Sequence, residues 1–542
     1  MKRIINTVLI LATLSAASVT MNSCQDALDI VQPGQVEEEQ LFVSVANLNE
    51  FFVGTLGALD TNNEIYLSAV LSDEVKPGSG SGGQEFQLHR FFLDPSEELT
   101  SSIWLNHYTT INRINRLLEG ATKITPAAGE VAQYNRILAQ ARAVRAFCYL
   151  QLESYFSTDM KNPNALGVML VSGVPATDIQ LPRVKNQEIF DFIKADLDYS
   201  RNILTSPTQP AAANQYTIDK NFVSALSARF NLYIGNTTLA KQYAQETITN
   251  SGLALAAAAP IEGTNPYSGA VSGPFNQTLN GTQSAAWNIA FYGGTTTANG
   301  NGLNGSFNAY RNMWADRTRG EIIFALNRLP TGAGSSIGTR WNTNTSQVSG
   351  VPMWFLGRNL YNLINVPGDI RRWAYVDPSA TPSTNYQNVG STADRIVIDK
   401  YPGKTSAPTR NDLKLFRISE MYFIIAEAEV AANNFTAAAA AIQAVRVARN
   451  FNGTATTPLY TNAQIAYADI LKERRVELAL EGHRLIDLKR LATQAGVTMD
   501  RNAKDDVVTT SNLPNDSYKY TLPIPIQETA GNPNIQQNPG YY

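Results

Sequence analysis

Two alanine-rich segments far apart in the chain restrict its architecture more than any other feature. Ala225-Leu226-Ser227-Ala228 runs on to Tyr233, breaks at Gly235-Asn236, and resumes from Ala240 to Ile248. Ala426-Glu427-Ala428 runs on to Ala432, breaks at Asn433-Asn434, and resumes from Ala437 to Val445. Small residues at helical spacing allow two helices to approach closely, and a two-residue break turns the second helix back along the first. A lone hairpin of this kind cannot bury its apolar face, so it needs stacked neighbours.

The pattern is that of tetratricopeptide-type helical hairpins. Neighbours are available. Phe42 to about Thr61 reads as helical, as do Glu130 to Phe156 and residues 186–204. From Ser102 to Glu119, apolar residues such as Ile103, Ile111, Ile114 and Leu118 recur at three and four. Ala463 to Leu491 reads as one long helix, with Leu471, Leu478 and Leu485 on one stripe and Glu473, Glu477, Glu481, Arg484 and Asp487 on the other faces. Exposed charge pairs on a helix are worth only about 0.2–0.5 kcal/mol each. So many charges among apolar residues therefore point to pairing against neighbouring helices. Gly482 would cost about 1 kcal/mol inside a helix, which implies a close backbone approach there.

Between the helical segments lies a different kind of sequence. Residues 253–410 are rich in Gly, Asn, Thr, Ser and Pro, yet hold five of the six tryptophans: Trp287, Trp314, Trp341, Trp354 and Trp373. That density of large rings points to a folded, loop-rich surface region rather than a disordered one. Pro77 to Gly83 reads as a flexible loop.

Composition narrows function by exclusion. Charged residues make up 16% and the net charge is -3, so no electrostatic drive toward nucleic acid exists. With three histidines and two cysteines, there is little material for a metal site. The chain carries no His-Glu-x-x-His, Cys-x-x-Cys, Gly-x-Ser-x-Gly or Gly-x-x-x-x-Gly-Lys pattern. The adjacent carboxylates Asp73 and Glu74 read as structural, because neighbours in sequence rarely converge on one bond. His483 reads as structural too, and Cys148 as a small core residue. No catalytic residue, metal or cofactor is expected.

The first residues read as an address. Lys2 and Arg3 precede an apolar run from Ile4 to Val19, the length of a secretory core and too short for a confident membrane span. Met21-Asn22-Ser23-Cys24 then resembles a bacterial lipoprotein processing site, with Cys24 the residue to be lipidated. The expected organisation is a signal peptide at 1–23, a tether at 24–40, and a single domain at 41–542. Within that domain the scaffold occupies about 41–252 and 411–542, and the variable region about 253–410.

Several segments in order resemble the SusD/RagB family of outer-membrane nutrient-binding lipoproteins. Glu473 to Arg490 is similar to its C-terminal signature, and Cys24-Gln25-Asp26-Ala27-Leu28-Asp29 to its lipidated start. Ile103 to Glu119, with Ile111-Asn112-Arg113-Ile114-Asn115, resembles its first signature helix, and Ala141 to Phe156 its Arg-Ala-Phe helix. Leu522-Pro523-Ile524-Pro525-Ile526 and Gln537-Asn538-Pro539-Gly540-Tyr541 resemble its Pro/Asn-rich tail. The resemblance implies a mainly α, SusD-like fold: a tetratricopeptide-like scaffold with a long irregular insertion. It further implies a cell-exterior, outer-membrane lipoprotein that binds oligosaccharide, or alternatively peptide, and passes it to a SusC-like TonB-dependent transporter without performing chemistry. The matched motifs are scaffold motifs and identify no ligand contact.

A neutral glycan presents apolar C–H faces and hydroxyl edges, so its site wants aromatic platforms beside amide, hydroxyl or guanidinium groups. The candidates in the insertion are Trp287, Tyr292, Trp314, Trp341 and Trp354, with Asn288 and Arg340 as hydrogen-bond donors. Lys76 to Arg90 is a second candidate wall.

Overall fold

The structure is a computed structural model. It describes residues 41–541 apart from 79, 84, 177, 208–214, 259–308, 342–351, 367, 377–381, 387–392, 405–406, 451–452 and 507–511. The expected signal peptide, Cys24 and most of the tether lie outside the described residues.

The chain is mainly helical. Helices α1 (Val45–Ala58) and α2 (Asn62–Leu71) lead into strand β1 (Val75–Pro77) and the short helix α3 (Phe86–His89). Two long helices follow, α4 (Glu98–Ala121) and α5 (Val131–Phe156). After the β2 (Leu166–Met169) and β3 (Arg183–Lys185) pair come α6 (Asn186–Ile203), α7 (Lys220–Tyr233) and α8 (Thr237–Ser251). The helices α4 to α8 pack pairwise in chain order, with α5 against both α4 and α6 and α7 against α8.

The two alanine-rich hairpins form as read, and they pack on each other. The second consists of α12 (Ile418–Ala431) and α13 (Phe435–Ala448), preceded by β6 (Leu413–Arg417). Gly235 and Asn433 take positive φ at the two breaks, the left-handed conformation that Gly and Asn tolerate best. Helix α8 packs against α12, so copies distant in sequence are stacked neighbours in space. Two ion pairs cross this junction, Arg229 to Glu420 and Lys241 to Glu429, both at 2.6 Å. One buried apolar cluster runs from Phe42 to Tyr541, and a smaller one gathers Phe423, Ile442, Ala466 and Ile470 where α12 and α13 meet the helix that follows them.

The described part of the insertion contributes to the core. It supplies α9 (Ala309–Trp314), β4 (Ile322–Leu326), β5 (Trp354–Leu356), α10 (Arg358–Ile364) and α11 (Arg371–Tyr375). Strand β4 pairs antiparallel with β6, and β5 with β1. The latter pairing continues into the segment read as a flexible loop. Gly78 N–H donates to Met353 at 2.8 Å and Gly80 N–H to Pro352 at 2.9 Å. A Cβ on Gly78 would lie 2.4 Å from the Pro352 oxygen, so the glycine is there for close approach, not for freedom.

The expected single helix over 463–491 is two. Helix α14 (Ala463–Glu477) stops, a turn covers 478–483, and α15 (Arg484–Ala495) begins. Leu480 and Gly482 both have positive φ, so Gly482 serves the turn and not a mid-helix contact. Side chains from elsewhere satisfy the backbone groups that the break releases. Glu74 accepts from the Leu480 N–H at 2.9 Å. Lys400 donates to the Ala479 carbonyl, Tyr401 to that of Leu480, and Tyr155 to that of Gly482.

The charges of this region are buried and compensated. Glu477 meets Arg449 at 2.8 Å and Arg417 at 2.9 Å, and the same two arginines meet Glu321 of β4's approach at 2.8 and 2.6 Å. Glu481 pairs with Lys400 and Arg417, and Glu473 with Arg371 and Arg446. Burial alone would raise the Glu477 carboxyl, but Arg449 and Arg417 outweigh it and hold the group well below the usual range. Asp73, read as structural, accepts two bonds from Arg484 at 2.7 Å. Burial pushes the Lys400 ammonium down to about 8 despite Glu481. Cys148 is fully buried, and burial raises its thiol well above the ordinary value.

Candidate functional site

The tryptophans expected to serve as platforms have two fates. Trp287, Asn288 and Tyr292 lie outside the described residues. Trp314, Trp341 and Trp354 are each at most 1% exposed and present no open face, which corrects the expectation of exposed platforms. Trp314 is enclosed by Tyr310, Tyr375 and Tyr401, with the Lys400 ammonium 4.1 Å from its ring centre. It belongs beside the buried charge network, far into the core.

Trp341 and Trp354 belong to a second cluster, and this one reaches the surface. Tyr66 of α2 packs at 5.4 Å from Trp341 and 6.4 Å from Trp354, whose indole N–H donates to the Tyr66 hydroxyl. Phe86 and His89 of α3 approach Trp354 from the other side, at 6.5 and 5.4 Å. The β1–β5 pairing places α3 here, because β1 leads directly into the Lys76–Arg90 segment while Trp354 opens β5. Burial pushes the His89 imidazole down to about 4, so it is neutral at neutral pH, with Nδ1 3.2 Å from Asp506.

Above this aromatic layer sits a charged rim. The Arg340 guanidinium lies 3.6 Å from the Tyr66 ring centre and donates to Glu85 at 2.6 Å. Their side chains are 29% and 25% exposed. Partial burial raises the Glu85 carboxyl, opposed by the attraction of Arg340. Glu85 holds a φ of 58°, a left-handed conformation that costs a non-glycine residue of order 1–3 kcal/mol and marks sites where geometry matters more than local stability. Phe86 and Arg90 are half-buried, Gln87 and Thr339 exposed, and Arg90 spans Phe86 at 5.2 Å while pairing with Asp506 at 3.0 Å.

Of the groups gathered here, the sequence offered Arg340 and the Lys76–Arg90 wall as candidates; it did not offer Tyr66. It lies in the continuously buried run Glu64–Leu71, where no periodicity singles out one ring. Chemically the rim offers guanidinium donors, a carboxylate acceptor and a half-exposed ring, all backed by a rigid layer. Among the described residues no group of three or more His, Cys, Asp or Glu side chains is placed to hold a metal, and no helix is long and apolar enough to cross a membrane.

Comparisons with known proteins match this helical-repeat scaffold. A model of the SusD family, SusD_RagB, matches residues 331–541. Two SusD-like proteins of Formosa agariphila align over almost their whole length. One is 23% identical, covering 100% of this chain and 99% of the relative; the other is 22% identical, covering 96% and 98%. Among solved structures, a SusD superfamily protein from Bacteroides vulgatus superposes with a TM-score of 0.68 at 18% identity, over 92% of this chain and 100% of that one. A SusD-like carbohydrate-binding protein from the same organism gives 0.64 at 19%, over 91% and 98%. A laminarin-binding SusD-like protein gives 0.63 at 19%, over 92% and 100%. The chain is similar to the SusD/RagB family, and its fold is the SusD-like helical scaffold.

Proposed function

We propose that the protein is a cell-surface lipoprotein, anchored in the outer membrane through Cys24, that binds oligosaccharide and delivers it to a SusC-like TonB-dependent transporter without chemistry of its own. The observation that carries the binding reading is the Arg340–Glu85–Phe86 rim over the Tyr66–Trp341–Trp354 layer. A ring and a guanidinium side by side match the C–H face and hydroxyl edge of a sugar. The packed aromatics beneath hold both in place, which reduces the ordering cost on binding. Laminarin binding by a structural neighbour makes neutral glucan oligosaccharides the first ligands to try.

Isothermal titration with neutral oligosaccharides and with peptides tests the reading. The expected result is glycan binding that weakens about tenfold or more, some 1.4 kcal/mol, in Phe86→Ala and in Arg340→Ala. Glycan affinity unchanged in both variants would place the site elsewhere, and binding of peptide alone would replace the ligand class. Cys24→Ala should release the protein from membranes; a variant that stays membrane-bound would refute the anchor.

A further inference from the structure

A pocket of about 330 Å³ lies where the end of α5, the end of α7 and α15 meet. Small-molecule sites run from about 300 to 1,000 Å³, so it has room for one small ligand. It opens to solvent, and its lining is of two kinds. Met160, Tyr233 and Ile486 supply an apolar wall, and Lys161, Lys489, Arg490 and Asp159 supply the charges.

The three cations differ in what holds them. Arg490 pairs with Glu427 at 2.8 Å and with Asp487 at 2.7 Å, so its charge is balanced within the scaffold. Lys489 instead donates to backbone carbonyls, those of Ser154 at 3.2 Å and of Ser157, and so caps the end of α5. Lys161 donates to the Arg490 carbonyl at 3.4 Å. Its stem runs beside the turn between α7 and α8, where a Cβ on Gly235 would lie 3.7 Å from Lys161 Cγ. An ammonium has three donors, so these contacts leave one N–H of Lys489 and two of Lys161 to solvent or a ligand.

Charge selects the ligand. A carbonyl satisfies an N–H but leaves the ammonium charge in place. Asp159 returns one negative charge, its carboxylate accepting the Lys161 backbone N–H at 2.8 Å. With Arg490 balanced, two ammoniums and one carboxylate leave a single positive charge on the pocket. One anionic group restores neutrality, a dianion overshoots it, and a neutral molecule desolvates the charge without pairing it. Burial pushes the Lys489 ammonium down to about 7 against the attraction of Glu153 and Asp159, as expected of a cation short of a close counterion. A carboxylate offers two oxygens to the remaining N–H groups, and the body attached to it can lie against Met160, Tyr233 and Ile486. We propose that this pocket is a second binding site, for a small molecule bearing one carboxylate, such as an acidic sugar. The inference is independent of what binds at the rim.

Isothermal titration of the whole protein with glucuronate, and with glucose as the same ring without the charge, tests it. Glucuronate is expected to bind, and glucose to bind about tenfold more weakly or not at all. Lys161→Ala, at an exposed residue, should weaken glucuronate about three- to fivefold and leave the titration with neutral oligosaccharide unchanged. Lys489→Met should weaken glucuronate about tenfold or more. Because Lys489 also caps α5, Lys161→Ala decides the question should the methionine variant fail to fold. A crystal soaked in glucuronate should place the carboxylate within about 2.7–3.2 Å of Nζ of Lys161 or Lys489. Failure of glucuronate to bind, equal binding of glucose, wild-type affinity in Lys161→Ala, or glucuronate seen at the rim alone would each overturn the proposal.

Discussion

Arg417 with Glu321 and Arg340 with Glu85 are the same ion pair by distance, 2.6 Å in each case. They differ in surroundings. The first pair is at most 1% exposed and shares its charges with Glu477, Glu481 and Arg449. The second is a quarter to a third exposed and stands on the rim of an aromatic layer. In the low-dielectric interior a charge is tolerated only while its partners are present, and removing one partner costs about 3–5 kcal/mol. At a wet rim the same contact is worth about 0–1 kcal/mol, so it can rearrange around a ligand. One chemistry thus locks the scaffold in the core and stands open to solvent at the proposed site.

The largest test of that contrast is Glu477→Gln. It would leave Arg449 and Arg417 facing one carboxylate fewer in a sealed environment, and a loss of about 3–5 kcal/mol is expected in urea or thermal unfolding. A loss below about 1 kcal/mol would mean that the network is no tighter than a surface pair. The pH response has a definite sign. The folded-state carboxyl of Glu477 is depressed, so its stabilisation is present above the unfolded value and is lost as pH falls toward the folded one.

Glu74 offers a smaller test with the opposite sign. It is buried with a backbone donor, the Leu480 N–H, as its hydrogen-bond partner, and burial pushes its carboxyl up to about 7. A raised carboxyl contributes stability that is complete below the unfolded value of about 4.3 and is lost as pH rises through about 7. Glu74→Gln should therefore remove part of the decline in stability across that window and gain of order 2 kcal/mol relative to wild type at the alkaline end. Parallel curves for the two proteins from acid to neutral pH would show that Glu74 ionises freely in the fold.

The scaffold was largely legible and the site only partly, for a physical reason. Helical hairpins are announced by local patterns: the alanines at 225–228 and 437–441 and the breaks at Gly235 and Asn433 suffice. The interruption at 478–483 is set by Glu74, Tyr155, Lys400 and Tyr401, which come from far away in sequence. Periodicity carries no trace of them. The tryptophans mislead for a related reason. Residue type announces a large ring, but the burial of Trp314 among Tyr310, Tyr375 and Tyr401 is decided by strand pairing across the insertion. Arg340 was within reach as a hydrogen-bond donor beside the insertion's tryptophans. Its stacking on Tyr66, contributed by a helix some 270 residues earlier, was not.

The smallest expected effect is the most discriminating. A double-mutant cycle on Arg340→Ala and Glu85→Ala should give a coupling of about 0.2–1 kcal/mol in thermal or urea unfolding. The coupling should shrink as salt is raised from about 0.1 to 1 M, because the screening length falls from about 10 to 3 Å and both side chains are wetted. The corresponding cycle on Arg417 and Glu321 should be several-fold larger and nearly insensitive to salt, since water and ions do not reach it. If the rim cycle proved as large and as salt-independent as the core cycle, Arg340 would be a fixed structural strut. A ligand would then have to accept the rim as it stands, and affinity would depend on Phe86 far more than on Arg340.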